Sequence, residues 1–316
     1  MTAVPSFIDI QQAHNRISPF IHHTPVLSSE GINDIAGATI YFKCENFQKV
    51  GAFKYRGATN AVLSLTDSEA ARGVATHSSG NHAAALALAA RKRGIKCYVV
   101  MPRTAPQPKI EAVKHYGAEI TFCEPTLQSR EATLKIITDK SGAAVIHPYD
   151  NFNVICGQGT VAKELIEEVP ALDVLFVPVG GGGLLSGSSI SAKAMKPEMV
   201  VYGCEPANAD DAYRSFHSGI LQPSVNPKTI ADGLLTSLSE RTFGIIRNHV
   251  KDILTVSEDS IIHAMELIWK RMKIITEASS AVALAALLDN KEKFKGKNAG
   301  VILSGGNVDL RNLPFH

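Results

Sequence analysis

Val177-Pro178-Val179-Gly180-Gly181-Gly182-Gly183-Leu184-Leu185-Ser186-Gly187 decides how this chain is read. The residues leading into it, Val174-Leu175-Phe176-Val177, have the apolar run of a buried strand. Leu184 to Ala194, small and apolar, reads as a helix. Four consecutive glycines remove every Cβ from the joint. Backbone N–H groups can then converge on an anion, with the positive end of the helix dipole behind them. A phosphate is the natural guest, because an ordinary turn does not need four residues of such entropic cost.

The glycines run together, so no Gly-x-Gly-x-x-Gly or Gly-x-Gly-x-x-Ala register fits, and Leu185 or Ser186 falls on the third position. Glu205, ending the next expected strand, does stand where a ribose-binding acid would. No Lys-Ser or Lys-Thr follows the loop, which excludes a P-loop. What remains is a phosphorylated cofactor held by backbone alone, and that requires a second anchor elsewhere in the chain.

Outward from the loop, strands and helices alternate. Upstream, strands are expected at Thr39–Lys43, Val74–Thr76, Cys97–Met101, Glu119–Cys123 and Ala144–Ile146. The helices expected between and before them span Ile8–Ile17, a stretch ending near Leu65, Ala83–Arg93, Pro108–Tyr116 and Leu127–Lys140. A further helix is expected to follow Gly157-Gln158-Gly159-Thr160 and run through Glu168. Downstream come strands at Val200–Gly203, Ile253–Val256 and Ala299–Leu303, with helices at Asp259–Met272 and Ser279–Leu288. This alternation predicts an α/β protein with parallel sheets covered by helices. A small lobe is expected over residues 73–148, with 1–72 and 149–316 forming the large lobe that carries the glycine loop.

The 316 residues can bury a large core, and 45% hydrophobic with 20% charged residues is ordinary for a globular chain. A formal charge of +2 gives no reason to expect nucleic acid or an anionic membrane as partner. No apolar run approaches the ~18 residues of a membrane span. The start, Met1-Thr2-Ala3-Val4-Pro5, lacks the pattern of a signal peptide. Cys44, Cys97, Cys123, Cys156 and Cys204 are odd in number and never in Cys-x-x-Cys spacing, which suits a reducing cytoplasm and argues against structural zinc. His22 and His23 are adjacent, do not share a face, and are expected at the surface.

Lys54 is the candidate second anchor. It stands in Gly51-Ala52-Phe53-Lys54-Tyr55-Arg56-Gly57-Ala58, at the start of an expected helix, where the dipole is positive. Desolvation and that field both lower an amine's pKa and suit it to Schiff-base chemistry. The polar turn Ser78-Ser79-Gly80-Asn81-His82 offers backbone amides for a carboxylate.

Together, Gly51-Ala52-Phe53-Lys54-Tyr55-Arg56-Gly57-Ala58, Ser78-Ser79-Gly80-Asn81-His82, the tetraglycine loop and Ser304-Gly305-Gly306-Asn307 resemble the fold-type II pyridoxal-phosphate enzymes. The likeness is to the serine/threonine dehydratase and serine racemase family and runs from about residue 8 to residue 311. It implies the two-lobe, tryptophan-synthase-β-like fold and a homodimer. It also implies that Lys54 holds pyridoxal 5'-phosphate as a Schiff base and is the acid/base on one face of Cα. Phe53 would pack beside the ring, Asn81 would bond its 3'-oxygen, and Gly180, Gly181, Gly182, Gly183 and Leu184 would donate N–H groups to the phosphate. Ser304 would face the pyridine nitrogen, a neutral partner that suits elimination and racemisation better than transamination.

The same resemblance makes Ser79 the acid/base on the opposite face, since the threonine dehydratases usually carry alanine there. Ser78, Ser79, Asn81 and His82 would bind the substrate carboxylate, and Arg130 would meet a side-chain carboxylate. Thr236 stands where the racemases carry serine. Tyr149-Asp150 after His147-Pro148 is similar to the fungal hydroxyaspartate dehydratases, and with Thr236 and Ala83 it favours elimination over racemisation. Glu205-Pro206-Ala207-Asn208-Ala209-Asp210-Asp211 matches the family's cation loop, with Glu205, Asp211 and the Ala209 carbonyl as oxygen ligands for Mg²⁺ or Ca²⁺. The racemases' nucleotide-effector site is half matched: Ser29, Lys49, Tyr116, Lys273 and Asn307 agree, whereas Glu30, Val50 and Ala84 do not. Glu30 would set a negative charge beside a triphosphate, which opposes ATP activation.

The expected protein is a cytoplasmic, pyridoxal-phosphate-dependent ammonia-lyase acting on a small β-hydroxy amino acid, first L-serine, with serine racemisation as a companion activity. The alternative within the class is a threo-3-hydroxyaspartate dehydratase. Outside it stand a nicotinamide oxidoreductase and an amino-acid-sensing module that has lost catalysis.

Overall fold

Two β-sheets divide the strands of the chain. The computed structural model describes residues 3–315, the side chain of Pro108 apart, so that Met1 and Thr2 of the stretch read for a signal peptide lie outside it. The strands are β1 (Val26–Leu27), β2 (Thr39–Cys44), β3 (Val74–His77), β4 (Cys97–Pro102), β5 (Glu119–Cys123), β6 (Ala144–Val145), β7 (Val174–Pro178), β8 (Val200–Pro206), β9 (Asp252–Val256) and β10 (Asn298–Leu303). A six-stranded sheet runs β1-β2-β10-β7-β8-β9, and a four-stranded sheet runs β5-β4-β3-β6. The central strands β7 and β10 are buried through most of their length, as strands covered by helices on both faces must be.

The pairs are parallel, as the alternation predicts, with one correction. The two-residue edge strand β1 runs antiparallel to β2, pairing Val26 with Lys43 and Leu27 with Phe42. One short helix, Glu30–Ala36, separates them. Cys44 N–H donates to the Pro25 carbonyl, so the edge partner of β2 is taken up by this returning segment.

A second correction concerns Gly157-Gln158-Gly159-Thr160. These residues do not precede a helix; they lie inside one, Phe152–Glu168. Glycine costs a helix stability, so something must require it. A Cβ on Gly157 would sit 2.6 Å from the Arg56 carbonyl oxygen and from Gly57 Cα, and one on Gly159 would sit 2.9 Å from the Gly187 carbonyl oxygen. The glycines let this helix touch the backbones of the helices Lys54–Leu63 and Gly183–Met195, the two that begin at the candidate lysine and the glycine loop.

The expected helix Asp259–Met272 also changes character. It is α-helical over Glu258–Leu267, then widens into a π turn, Ile268–Met272, that ends at Lys273 with φ +60°.

Beneath the Lys54–Leu63 helix lies a closed cluster of charges. Arg56 donates from Nε to Glu45 at 2.7 Å and from Nη1 and Nη2 to Glu164 at 2.6 and 2.8 Å. Lys43 reaches Glu164 at 2.8 Å and the Thr24 carbonyl at 2.7 Å. All four charged side chains are buried.

Candidate active site

The segments that follow strands β2, β3, β6, β7 and β10 meet around one cavity of about 580 Å³. Ligands in open parallel sheets bind beyond the carboxyl ends of strands, which is where these segments lie. After β7, Gly182 takes φ +82° and the helix starts at Gly183. A Cβ at Gly181 would overlap the Tyr149 ring, and one at Gly182 would stand 2.7 Å from Leu238. Neither position has room for a side chain, so the loop presents backbone to the cavity at the positive end of a 13-residue helix.

Across the cavity, Lys54 opens the helix Lys54–Leu63 and donates from Nζ to the Pro148 carbonyl at 3.0 Å. Burial pulls its amine down to about 8, with Glu277 the opposing charge. Near pH 7 about a tenth is therefore uncharged, far more than for an ordinary lysine, and that is the form that attacks a carbonyl or takes a proton. Phe53 lines the same wall, its backbone N–H donating to the Ser304 carbonyl at 3.0 Å. Ser304 lies 3.2 Å, Oγ to Oγ, from Ser280, and Ser280 exchanges two hydrogen bonds with Gly305. The ring-nitrogen candidate is thus fixed by a braced turn.

Ser78, Ser79, Asn81 and His82 line the cavity from the turn after β3. Asn81 donates to both oxygens of Glu277, at 3.0 and 3.2 Å, and its Oδ1 accepts from Asn307 at 2.9 Å. The His82 ring is turned to the Ile146 carbonyl at 3.1 Å, and burial drops its pKa to about 3, so it stays neutral. Arg130 and Thr236 line the mouth, and Arg130 Nε is buried without a hydrogen-bond partner. All the residues expected to hold cofactor or substrate therefore border one cavity.

Titratable residues that the sequence does not nominate also border it, Glu277, His77 and His147 among them. Glu277 is buried, and that burial raises its carboxyl to about 7. His77 and His147 meet edge to face at 5.9 Å, and burial lowers both. The position of His147 just past a strand end is the one signal that could have flagged it.

A larger cavity of about 860 Å³ shares Gly80, Asn81, Lys109, Asp232 and Glu277 with the first. Of the effector residues, Tyr116 and Asn307 line it, as do the departures Val50 and Ala84; Ser29, Lys49 and Lys273 do not.

Glu205, Ala209 and Asp211 lie apart from both cavities. Glu205 accepts from the N–H groups of Ala212 and Tyr213 at 3.0 and 2.8 Å. Both Asp211 oxygens are buried with no partner. Burial, with Asp211 nearby, pushes Glu205 up to about 9, and burial lifts Asp211 to about 6. Arg214 nearby pairs with Asp210, so among the described residues these two buried carboxylates have no ion-pair partner and form a fitting oxygen set for a hard cation. Among the described residues no group of three or more His, Cys, Asp or Glu forms a metal cluster, so any cation here would draw on this pair and backbone carbonyls.

A glycine loop at a helix start and a buried amine of lowered pKa thus border the same cavity. The chain belongs to the pyridoxal-phosphate dependent enzyme family, whose pattern residues 17–305 match. A beta-hydroxyaspartate dehydratase of Paracoccus denitrificans (strain Pd 1222) is 52% identical over 313 residues, 99% of each chain. An L-threo-3-hydroxyaspartate ammonia-lyase of Saccharomyces cerevisiae is 48% identical, over 98% of this chain and 95% of that one. The crystal structure of serine racemase from Dictyostelium discoideum superposes with a TM-score of 0.94 at 51% identity, covering 98% of this chain and 100% of that one. The fold is that of the fold-type II enzymes. The nicotinamide oxidoreductase reading falls with this finding.

Proposed function

We propose that the protein is an ammonia-lyase for β-hydroxy amino acids, with L-serine as the first substrate and serine racemisation as a second activity. The carrying observation is the Lys54 amine, lowered by burial and set across one cavity from the glycine cradle, with Ser79 on the same cavity. Support for the substrate class comes from the relatives, which are a serine racemase, a dehydratase and an ammonia-lyase.

Pyridoxal 5'-phosphate fits the site: Lys54 would hold its aldehyde carbon, Gly180–Leu184 its phosphate, Asn81 its 3'-oxygen and Ser304 its ring nitrogen. The cofactor supplies an electron sink for the charge left at Cα. Lys54 takes the α-proton, and the backbone around Ser78, Ser79 and Asn81 holds the carboxylate. The β-hydroxyl departs as water, water returns to the dehydrated product, and the net products are a 2-oxo acid and ammonia. Ser79, on the opposite face, delivers or removes the proton that inverts Cα. Phe53 and the buried glycine wall limit water at the reacting carbon.

Arg130 favours a second reading. Its free Nε at the cavity mouth is a partner for a second carboxylate, and a threo-3-hydroxyaspartate substrate brings one. The cation pair Glu205 and Asp211 is proposed to hold Mg²⁺ or Ca²⁺, and the protein is proposed to act in the cytoplasm as a homodimer. We further propose that residues 73–148 move as a small lobe against the rest. Among the described residues no helix is long and apolar enough to cross a membrane.

Purified protein with L-serine, L-threonine and L-threo-3-hydroxyaspartate, assayed for 2-oxo acid and for the D-amino acid, tests the assignment. Lys54→Ala should lose turnover and the visible absorbance of bound cofactor. Ser79→Ala should lose D-serine formation, by ~10²–10⁴-fold for a general acid–base group, yet keep L-serine elimination measurable. An equal fall in both would reduce Ser79 to a carboxylate contact, and a wild-type protein inert to all three substrates would leave only the sensing module.

A further inference from the structure

The turn from His147 to Asn151 touches three parts of the site at once. Its Pro148 carbonyl accepts from Lys54 Nζ at 3.0 Å. Its Tyr149 side chain fills the space that side chains on Gly181 and Gly183 would need. Its Asp150 pairs with Arg241 at 3.2 Å, on the helix Glu240–His249, and Asn151 caps the helix Phe152–Glu168 by accepting from Val154 N–H at 3.0 Å.

One side chain organises this turn from within. His147 Nδ1 accepts the Asp150 N–H at 2.9 Å, with the Tyr149 N–H at 3.5 Å. Accepting requires a lone pair on Nδ1, so the ring is neutral and its proton sits on Nε2. Burial holds the imidazole at about 4; His77, Asp150, Lys54 and Arg241 are the charged and titratable groups that face it. The ring is wedged edge-on against Tyr149 at 4.5 Å. A neutral histidine on a catalytic cavity has two uses: it can move protons through Nε2, or it can hold backbone through Nδ1. Here the hydrogen bonds lie on Nδ1 and run to the turn that carries the Lys54 acceptor and the Tyr149 ring.

We propose that His147 is a positioning residue: through Nδ1 it holds the turn that sets the reach of the Lys54 amine and the shape of the glycine cradle, and Nε2 takes no part in proton transfer. The proposal rests on the reading of Lys54 as the cofactor lysine and adds a residue to it.

Asparagine places an acceptor oxygen near the Nδ1 position, whereas glutamine reaches towards Nε2. Three holoenzyme variants therefore separate the two uses: His147→Asn, His147→Gln and His147→Phe. The readouts are the cofactor dissociation constant from visible absorbance on dilution, the pH midpoint of that absorbance, and kcat with L-serine. His147→Asn should keep cofactor affinity within about threefold, and the other two should weaken it about 10- to 100-fold, as expected when a buried N–H loses its partner. The pH midpoint should move in His147→Gln and His147→Phe and stay in His147→Asn. Glutamine matching asparagine, or phenylalanine matching wild type, overturns the proposal. So does an asparagine variant that binds cofactor normally but turns over as poorly as the phenylalanine one. If His147→Phe does not fold, the asparagine–glutamine contrast decides alone. A wild-type chain that binds no pyridoxal 5'-phosphate overturns the functional reading instead.

Discussion

Two buried clusters of carboxylates, Glu45 with Glu164 and Glu205 with Asp211, are balanced in opposite ways. In the first, burial pushes Glu164 upward, but Arg56 and Lys43 outweigh it and hold the carboxyl at about 2. Two cations and two anions share that pocket, and Arg56 divides its donors between Glu45 and Glu164. In the second, Glu205 has two backbone N–H groups, the Asp211 oxygens have no hydrogen-bond partner, and both carboxyls are pushed upward. The first cluster is complete within the chain. The second requires a positive charge from outside or protons from solvent. The same residue type thus serves as an internal fastener in one place and as a receptor in the other.

The largest expected effect comes from breaking the complete cluster. Arg56→Met leaves two glutamates buried with only Lys43 between them and should destabilise the fold by roughly 3–5 kcal/mol. Urea unfolding measures it, and a loss under about 1 kcal/mol would show that water repairs the gap.

Next in size is the incomplete cluster. EDTA should lower the melting temperature and Mg²⁺ or Ca²⁺ should restore it. The stabilisation is about 2.7 kcal/mol at a hundredfold excess of ion over its dissociation constant, and Asp211→Asn should abolish the response. A melting temperature indifferent to EDTA would erase the contrast between the clusters.

The subtlest test is the pH slope of the cation-free protein. Glu205 and Asp211 have folded pKa values above their unfolded ones. Their contribution is full below about pH 4 and is lost as pH rises through about 6 and then about 9. Glu164 has a folded pKa below its unfolded one, so its contribution is present above about pH 4.5 and is lost as pH falls towards 2. Between pH 5 and 9 the EDTA-treated protein should therefore lose stability with rising pH relative to the Ca²⁺-loaded protein, since the other titrating groups, His82, His147, Glu277 and Lys54 among them, contribute equally to both. An unchanged slope on adding Ca²⁺ would deny that the pair binds it.

The sequence shows the site where its chemistry is local. Phe53-Lys54, Ser78-Ser79-Gly80-Asn81-His82 and Gly180–Gly183 are contiguous, and each follows an apolar run whose length limits a strand. The structure brings them to one cavity, with β2 and β7 each pairing parallel to β10 in one sheet and β3 in the other. Glycines 157 and 159 misled for the opposite reason. The cause of their being glycine lies at Arg56, Ile10 and Gly187, far along the chain, so the local pattern read as a loop. Glu277 carries no local mark either, and His147 only its place just past a strand end. Their importance comes from Asn81, Asn307 and Lys54 arriving from other elements. The helix Glu240–His249 escaped notice although Ser239 and Thr242 form a reciprocal cap at its start, because its apolar positions are few.

The order of strands also bears on how the chain is made. β3 to β6 are consecutive, so the four-stranded sheet has all its partners once residue 145 is synthesised. β2, which leads to Lys54, pairs with β10, the last strand of the chain. From Gly183 to Asn298, roughly a third of the sequence, a nascent chain therefore holds Lys54 and its glycine loop without the strand that joins them. Contacts of such separation close slowly. Cofactor capture then waits for β10, which slots between β2 and β7 and brings Ser304 to the cavity.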